Sequence, residues 1–442
     1  MPLSNTPPEI VTQIFSCLET PDLANLCLVN KNFHPIAEYA LYSDITFKWD
    51  HNQRPRIIAL LDTLFRRPER FDWIKALTID GSNRAGEKYL VPLLGAPRVI
   101  YVNVVQTLNT PLTECWTREL KKGRMDAFAA ILIAHTTKIR RLTVTGRYIR
   151  FPDLIGPVLD LKLSGQLPKF ERLNLVTYLR GYDSWSYPLL TRFEEGMCLF
   201  HMPTVTHLAC HMGSLDRETC KQVLGKPDLR NLTVLVIEGS NAATMCEILA
   251  LTKNLKSLAW AWEYAARTTD PVTKSLDLDE IITALSHVKD TLESLQLRIT
   301  IRTNKEYGGK VKMKVMGSFS GLREFNRITE LEVPLICLTG SGHQPQPLDH
   351  CIPSGIKTIS LSCVMLLNDA LAWNPSYWWS DQGILGLVQD MSFSASLPQL
   401  RRINIFDVDN WFEDGQFFEV LERISRDVEV WVIRRVPLLW DF

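Results

Sequence analysis

The sequence predicts a mixed α/β protein in which a small all-α N-terminal unit precedes an irregular α/β solenoid. Apolar residues recur at helical spacing near the N-terminus, and a short strand pattern recurs from Trp73 onward. Stretches with helical periodicity separate several copies of that pattern. We therefore predict a helical unit at residues 1–47, a linking segment at 48–72 and the solenoid at 73–442.

Three short helices are predicted in the N-terminal unit. Pro7 and Pro8 suit a helix start because the missing N–H has no partner there, and Glu9 meets the positive end of the helix dipole. The second helix is predicted to have Thr20 as its cap, with Pro21 following. The apolar positions of the three helices are Ile10, Ile14 and Leu18; then Leu23, Leu26, Val29 and Phe33; then Ile36, Ala37, Ala40 and Leu41, before an alternating strand-like stretch, YSDITF.

A domain of this size usually needs outside support, so part of its apolar surface is expected to face a partner. The stretch PPEIVTQIFSCLETPDLANLCLVNKNF resembles an F-box, whose pattern is Leu-Pro-x-Glu-Ile, Ile-Phe-x-x-Leu, Asp-Leu-x-x-Leu and a basic-x-Phe element. Thr6 stands where the family usually has leucine. The closing residues Leu41, Tyr42 and Ile45 are similar to F-boxes of filamentous fungi.

The resemblance implies that these helices bind the Skp adaptor, which tethers F-box proteins to a cullin–RING ubiquitin ligase. The adaptor contacts that it implies are Pro8, Glu9, Ile10, Ile14, Leu18, Leu23, Leu26 and Val29. The alternative is that residues 1–47 form only a helical cap on the solenoid.

The strand pattern has apolar residues at its first, fourth and sixth positions and resembles the strand segments of leucine-rich repeats. The usual asparagine after the strand is missing, which implies irregular repeats with helices of varying length. One such helix is predicted at 275–288. The copies are IKALTI (74), VIYVNV (99), IRRLTV (139), FERLNL (170), VTHLAC (205), LTVLVI (232), LKSLAW (255), LESLQL (292), ITELEV (328), IKTISL (356) and RRINIF, preceded by Leu400.

Aromatic residues cluster after several strands and are predicted to form a substrate-binding rim, because Trp and Tyr often anchor protein interfaces. The alternative is that these rings pack under their own loops. Polar residues beside the second apolar position, namely Arg141, Arg172, His207, Glu330 and Arg402, are expected to be accessible. The rim candidates are Tyr178, Tyr182, Trp185, Tyr187, Trp260, Trp262, Tyr264, Trp373, Trp378 and Trp379.

A hairpin is predicted around Gly308-Gly309, with Arg302, Lys310, Lys312 and Lys314 on one face. That face is either a site for an acidic partner or a solvated surface.

The sequence has no nucleotide-binding, hydrolase or metalloprotease motif and no C-x-x-C pair, so no catalytic residue or cofactor is predicted. The chain cannot itself supply a RING module. A group with zinc-like spacing, Cys198, His201, His207, Cys210 and His211, is expected to split across the two faces of a strand, so no metal is predicted there.

Forty-nine basic and 49 acidic residues cancel, which argues against a dedicated nucleic-acid or membrane-surface binder. The N-terminus lacks a secretory signal pattern, and the ten cysteines have no paired spacing. A cytoplasmic or nuclear location is therefore expected.

These observations predict a non-catalytic protein, the substrate-recognition subunit of a Skp–cullin–F-box ubiquitin ligase, with an unknown protein substrate on the repeat region. The alternative is an F-box scaffold that presents nothing for ubiquitylation. A metal-dependent or hydrolytic enzyme would need more than the Cys/His group.

Overall fold

The structure is a computed structural model that divides into two compact units, Met1–Ala209 and Cys210–Phe442. It describes residues 6–49, 56–81, 97–145, 154–179, 197–212, 215–265, 275–302, 314–339, 351–362, 386, 390–391, 395–406 and 428–433.

The N-terminal residues form the three predicted helices, α1 (Pro8–Ser16), α2 (Thr20–Val29) and α3 (His34–Ser43). Each helix has a proline in its first two positions, where the fixed φ angle and missing N–H cost nothing. Thr20 is the first residue of α2, and Glu19 precedes it, so Thr20 is not the cap that the sequence predicted.

The first unit continues with strands in parallel register. β1 (Asp44–Trp49), β2 (Ala76–Gly81), β3 (Arg141–Thr145) and β4 (Leu175–Leu179) pair in chain order. Ile45, Leu77, Leu142 and Val176 are register partners and point into the core. The helices of this part are α4 (Arg56–Arg66), a 3₁₀ helix (Pro68–Trp73), α5 (Pro97–Leu108), α6 (Thr113–Lys121), α7 (Met125–His135) and α8 (Ile155–Leu163).

A 3₁₀ helix (Cys198–His201) precedes β5 (His207–His211), which spans the boundary between the units. In the second unit, β6 (Val234–Glu238), β7 (Ser257–Ala265), β9 (Ser294–Arg302), β11 (Glu330–Pro334), β12 (Thr358–Ser362), β13 (Arg402–Phe406) and β14 (Glu429–Ile433) pair in parallel in that order. One aliphatic row crosses all seven strands; it is buried at Leu235, Leu258, Leu295, Leu331, Ile359 and Ile403 and half-buried at Val430. This ordered parallel pairing makes the region solenoid-like.

The helices of the second unit are α9 (Arg217–Leu224), α10 (Ala242–Leu249), α11 (Leu278–Leu285) and α12 (Leu335–Thr339), with 3₁₀ helices at Ser286–Val288 and Ser320–Glu324. The helix predicted at 275–288 begins as a short strand, β8 (Ser275–Asp277), because Asp277 caps α11 through the backbone N–H groups of Asp279 and Glu280. β8 pairs in parallel with β10 (Lys314–Met316). The Gly308-Gly309 turn and most of the predicted basic hairpin face lie outside the described residues.

Two of the predicted strand copies are wrong. VIYVNV lies in α5, where Tyr101 and Val105 are buried four residues apart while Val99 and Ile100 are exposed. The Tyr101 hydroxyl donates to Asp62 at 2.6 Å, so tertiary contacts override the strand propensity of these residues.

The second wrong copy, FERLNL (170), lies close to a strand, but the inward-facing positions begin three residues later than predicted, at Leu173. Arg141 pairs with Leu175, so Leu173, Val176 and Tyr178 take the three inward positions. The copies at 74, 139, 205, 232, 255, 292, 328, 356 and 401 are strands, whereas β14 was not predicted.

No helix in the described part of the chain is long and apolar enough to cross a membrane. The predicted boundaries at 47/48 and 72/73 stay predictions.

Candidate functional site

Helix α1 carries aliphatic side chains on two faces, and only one of them faces the core. Val11 and Phe15 are 2% and 1% exposed, and the Phe15 ring meets Phe33 edge to face at 5.7 Å. Ile10 and Ile14 are 45% and 40% exposed. Because they lie one turn apart on the outer face, they form a short apolar stripe that the described residues leave exposed.

The end of α2 exposes a second pair of aliphatic residues. Leu28 is 86% exposed and Val29 is 75% exposed, whereas Leu23 is buried with Ala37 in the core of the three helices. Leu28 was missed by the sequence analysis. Leu28 is two residues after Leu26, so it does not share the helix face of Leu23 and Leu26. That spacing would have predicted an outward-facing side chain.

The predicted adaptor contacts therefore fall into two groups. Pro8, Glu9, Ile10, Ile14 and Val29 are exposed. Leu18 and Leu26 pack against the core cluster, and Leu23 is only 5% exposed. Leu23 accordingly holds the three helices together rather than offering a free side chain. We use the term aliphatic face for the four exposed side chains of α1 and α2 together, namely the pair Ile10 and Ile14 and the pair Leu28 and Val29.

The turn between α2 and α3 fixes the orientation of the second exposed pair. The Asn30 side-chain oxygen accepts from the backbone N–H of Asn32 at 2.8 Å, and His34 Nδ1 lies 2.8 Å from the Cys27 carbonyl. These bonds satisfy backbone groups at the end of α2, so Leu28 and Val29 project from an ordered helix terminus.

A buried arginine joins the helical unit to the first repeat. Arg70, in the 3₁₀ helix Pro68–Trp73, is 4% exposed and donates to Glu38 of α3 and, at 3.2 Å, to the Tyr42 hydroxyl. Its guanidinium carbon lies 4.8 Å from the Tyr42 ring centroid and 5.9 Å from that of Trp73. We call Glu38, Tyr42, Arg70 and Trp73 the junction cluster.

The backbone continues this connection. The Lys75 N–H donates to the Ser43 carbonyl at 2.8 Å, and β1 then pairs with β2 over their full length. The helical unit is therefore hydrogen-bonded directly to the repeats within the first compact unit.

The predicted aromatic rim is corrected where the structure describes it. Tyr178, Trp260 and Trp262 are 2%, 0% and 4% exposed, and the Trp260 indole donates to the Ser240 carbonyl at 3.0 Å. These rings fill the core because each lies on or continues a strand whose alternate residues point inward. Tyr264 lies in β7, but its side chain is not described. The other rim candidates lie outside the described residues, namely Tyr182, Trp185, Tyr187, Trp373, Trp378 and Trp379.

Trp431 of β14 is the exposed tryptophan among the described side chains, at 50%. The guanidinium of Arg402 lies 5.5 Å from its ring centroid, and Arg402 also bonds Glu429 at 3.0 Å. The sequence analysis identified Arg402 as accessible but missed Trp431, whose strand does not follow the three-position pattern. Arg141, Arg172, His207 and Glu330 are also exposed, as predicted.

Hydrogen-bonded polar side chains occupy the outward row of the neighbouring strands. Glu332 accepts from Gln296 at 2.6 Å and from Arg298 at 2.7 Å, and Asn404 donates to Ser360 at 2.9 Å. These side chains belong to successive register positions. This row and Trp431 form an ordered polar face with one aromatic side chain at its end.

The Cys/His group does not converge in the described residues. Cys198 and Cys210 are buried, while His201 and His207 are exposed. Burial, followed by the nearby Glu238 charge, raises the pKa of the Cys210 thiol well above its ordinary value. No cluster of three or more His, Cys, Asp or Glu side chains suited to a metal occurs in the described ranges.

Comparisons with known proteins agree with the helical unit. Residues 3–48 match the family model described as F-box-like. The leucine-rich repeat-containing protein LegL7 from Legionella pneumophila is similar over 87% of this chain and 99% of its own, with 12% identity and a TM-score of 0.37. The solenoid-like description rests on the strand pairing and not on that similarity. Among curated proteins no match to the chain is found.

Proposed function

We propose that this protein is the substrate-recognition subunit of a Skp–cullin–F-box ubiquitin ligase. F-box domains generally bind Skp adaptors, and residues 3–48 form such a domain. The observation that carries the proposal is the aliphatic face, whose four side chains are exposed while Val11, Phe15, Leu23 and Ala37 fill the core of the helical unit.

The aliphatic face suits a stable protein contact. Complete burial of a fully exposed aliphatic side chain contributes roughly 1.5–3 kcal/mol, a range that suits Leu28 and Val29, whereas Ile10 and Ile14, at 45% and 40% exposure, contribute less than half of it. Four such side chains provide enough free energy to offset part of the association cost, especially because they project from preformed helices.

The junction cluster supports a positioning role. In this proposal the ligase works by holding a substrate beside the ubiquitin-carrying enzyme, which raises its effective concentration. A flexible connection between the F-box and the first repeats would allow a bound substrate many positions. Arg70 and the paired strands β1 and β2 restrict that motion.

The repeat region is the proposed substrate-binding part. Trp431 and Arg402 are residue types that frequently dominate binding energy at interfaces, and the neighbouring polar row supplies hydrogen-bonding groups. The chain itself is proposed to be non-catalytic and to act in the cytoplasm or nucleus. A relation to filamentous-fungal F-box proteins, suggested by Leu41, Tyr42 and Ile45, stays a prediction.

The alternative is a scaffold that binds the adaptor without supporting ubiquitylation. To distinguish the two, the intact chain and a version without residues 1–47 are expressed in cells with the proteasome blocked. A ligase subunit brings down both cullin and a ubiquitylated protein that accumulates when the chain is depleted. If cullin co-purifies but no bound protein changes in abundance or ubiquitylation, the ligase proposal is wrong and the scaffold remains.

A further inference from the structure

A group of cations lies at the edge where the chain enters strands β2, β3 and β4. It consists of Lys75 before β2, Lys138 and Arg140 before β3, and Arg172 before β4. We call these four residues the basic edge. Arg140 and Arg172 are exposed, and Lys75 and Lys138 are half-buried.

Backbone hydrogen bonds place these residues on successive rungs. The Arg140 N–H donates to the Lys75 carbonyl at 2.7 Å, and the Asn174 N–H donates to the Arg140 carbonyl at 3.0 Å. The Glu171 N–H donates to the Thr137 carbonyl at 2.9 Å, which brings the residues next to Lys138 and Arg172 together. Since neighbouring strands are separated by about 4.8 Å, the edge spans roughly 10 Å.

Positive charge exceeds negative charge at this edge. Two carboxylates lie near the four cations: Asp72 pairs with Lys138 at 2.7 Å and its backbone carbonyl accepts from Lys75 at 2.9 Å, and the exposed Glu171 also acts on the charge of Lys138. Arg140 and Arg172 have no carboxylate within ion-pair distance in the part of the chain that the structure describes. Burial lowers the pKa of Lys75, and the charges of Arg172, Arg140 and Lys138 lower it further, opposed by Asp72.

The equivalent edge of the second unit is neutralised only in part, because Lys357 before β12 and Arg401 before β13 are also cations on successive rungs, joined by the Arg401 N–H donating to the Lys357 carbonyl at 2.9 Å. Lys256 precedes β7 as Lys75 precedes β2, and it pairs with Glu293 of the next rung at 3.0 Å. Lys289 similarly pairs with Glu324 at 3.4 Å. At the basic edge, the residue on the next rung from Lys75 is Arg140, another cation. Like charges in such proximity are unfavourable unless an anion relieves them.

We propose that the basic edge binds an acidic peptide segment of a partner protein, with its carboxylates facing Arg140 and Arg172. A span of roughly 10 Å corresponds to about three residues of extended chain, so a short run of Asp and Glu fits. The zero net charge of the chain favours a local acidic segment over nucleic acid, whose binding depends on extended positive charge. The basic edge contains none of the residues of the aliphatic face, so this site is separable from adaptor docking.

The test measures fluorescence anisotropy of a short labelled peptide of alternating Asp and Glu with the full chain. Its Asn/Gln counterpart and a single-stranded DNA oligomer of equal charge serve as comparison probes. We expect the acidic peptide to bind, with an affinity that falls as salt rises from about 0.05 M to about 0.2 M. Arg140→Glu with Arg172→Glu should weaken binding by at least about tenfold.

The matched control is Arg323→Glu with Arg327→Glu, which reverses two exposed arginines of the second unit and should leave the affinity unchanged. Because charge reversal can disturb folding, Arg140→Gln with Arg172→Gln is measured in parallel and should also weaken binding, with an unchanged melting temperature. The proposal is overturned if the acidic peptide does not bind, if the neutral peptide or the DNA binds as well or better, or if the control variant loses the same affinity.

Discussion

Replacing Arg70 with alanine tests whether the F-box and the first repeats, all within the first compact unit, are held rigidly together. Removing one partner of a fully buried ion pair costs about 3–5 kcal/mol, because the other charge stays buried and uncompensated. Glu38 is 15% exposed and keeps Arg67 at 3.8 Å, which reduces that cost. The lost contacts with the Tyr42 and Trp73 rings add about 0.5–2 kcal/mol. We therefore expect Arg70→Ala to destabilise the first unit by about 3 kcal/mol.

The assay is urea denaturation of the full chain, with hydrogen exchange of the β1 and β2 amides as a local readout. Arg141→Ala is the matched control, because it breaks a 2.7 Å ion pair with Asp44 in which both side chains are about half exposed. That exposed pair should contribute less than about 1 kcal/mol. If Arg70→Ala costs no more than Arg141→Ala and leaves β1 and β2 equally protected, the junction cluster does not hold the two parts together.

Three further predictions concern the repeats. Burial lowers the pKa of Lys162 from its ordinary value to about 7, so between these two values the folded chain binds fewer protons than the unfolded chain and stability rises with pH. Urea titrations should show that Lys162→Met lowers this slope by about 1.4 kcal/mol per pH unit; an unchanged slope would contradict the assignment. Gly239→Ala should lower the free energy of unfolding by more than about 2 kcal/mol in urea titrations, because φ is +83° and an added Cβ would lie 2.5 Å from the Met212 carbonyl oxygen. Gly386→Ala is the control and should change it little, since no atom lies within 4 Å of its added Cβ. Equal costs would refute that reasoning. Trp431→Ala should leave the melting temperature nearly unchanged and reduce capture of the ubiquitylated protein by about tenfold, and undiminished capture would remove Trp431 from the proposed interface.

The sequence predicted most strands because the core requires the same residue types at the same spacing in every repeat. Leu77, Leu142 and Leu258 each occupy the fourth position of a copy and are buried. The pattern failed for VIYVNV because a three-position pattern does not distinguish a strand from a helix. The neighbours Asp62 and Phe128 decided the outcome, and they are distant in sequence.

The candidate site was only partly predictable for the same reason. Helical spacing identified Ile10, Ile14 and Leu23 as apolar positions but did not show which would meet α3. The aromatic rim was wrong at Trp260 because large rings near strand ends also fill cores. The junction cluster was invisible to spacing arguments, since Arg70 and Glu38 are 32 residues apart.

Adaptor docking through the aliphatic face is most directly tested by measuring the affinity of purified Skp adaptor for the full chain carrying Ile14→Asp or Leu28→Asp. Both side chains are exposed, so the helices should stay folded, whereas Leu18→Asp would damage the core that Leu18 contacts. Val99→Asp is the matched control, because Val99 is a 62% exposed aliphatic residue on α5. We predict that each F-box variant binds at least about tenfold more weakly and that Val99→Asp binds like the unaltered chain. Undiminished binding by both F-box variants would contradict the account.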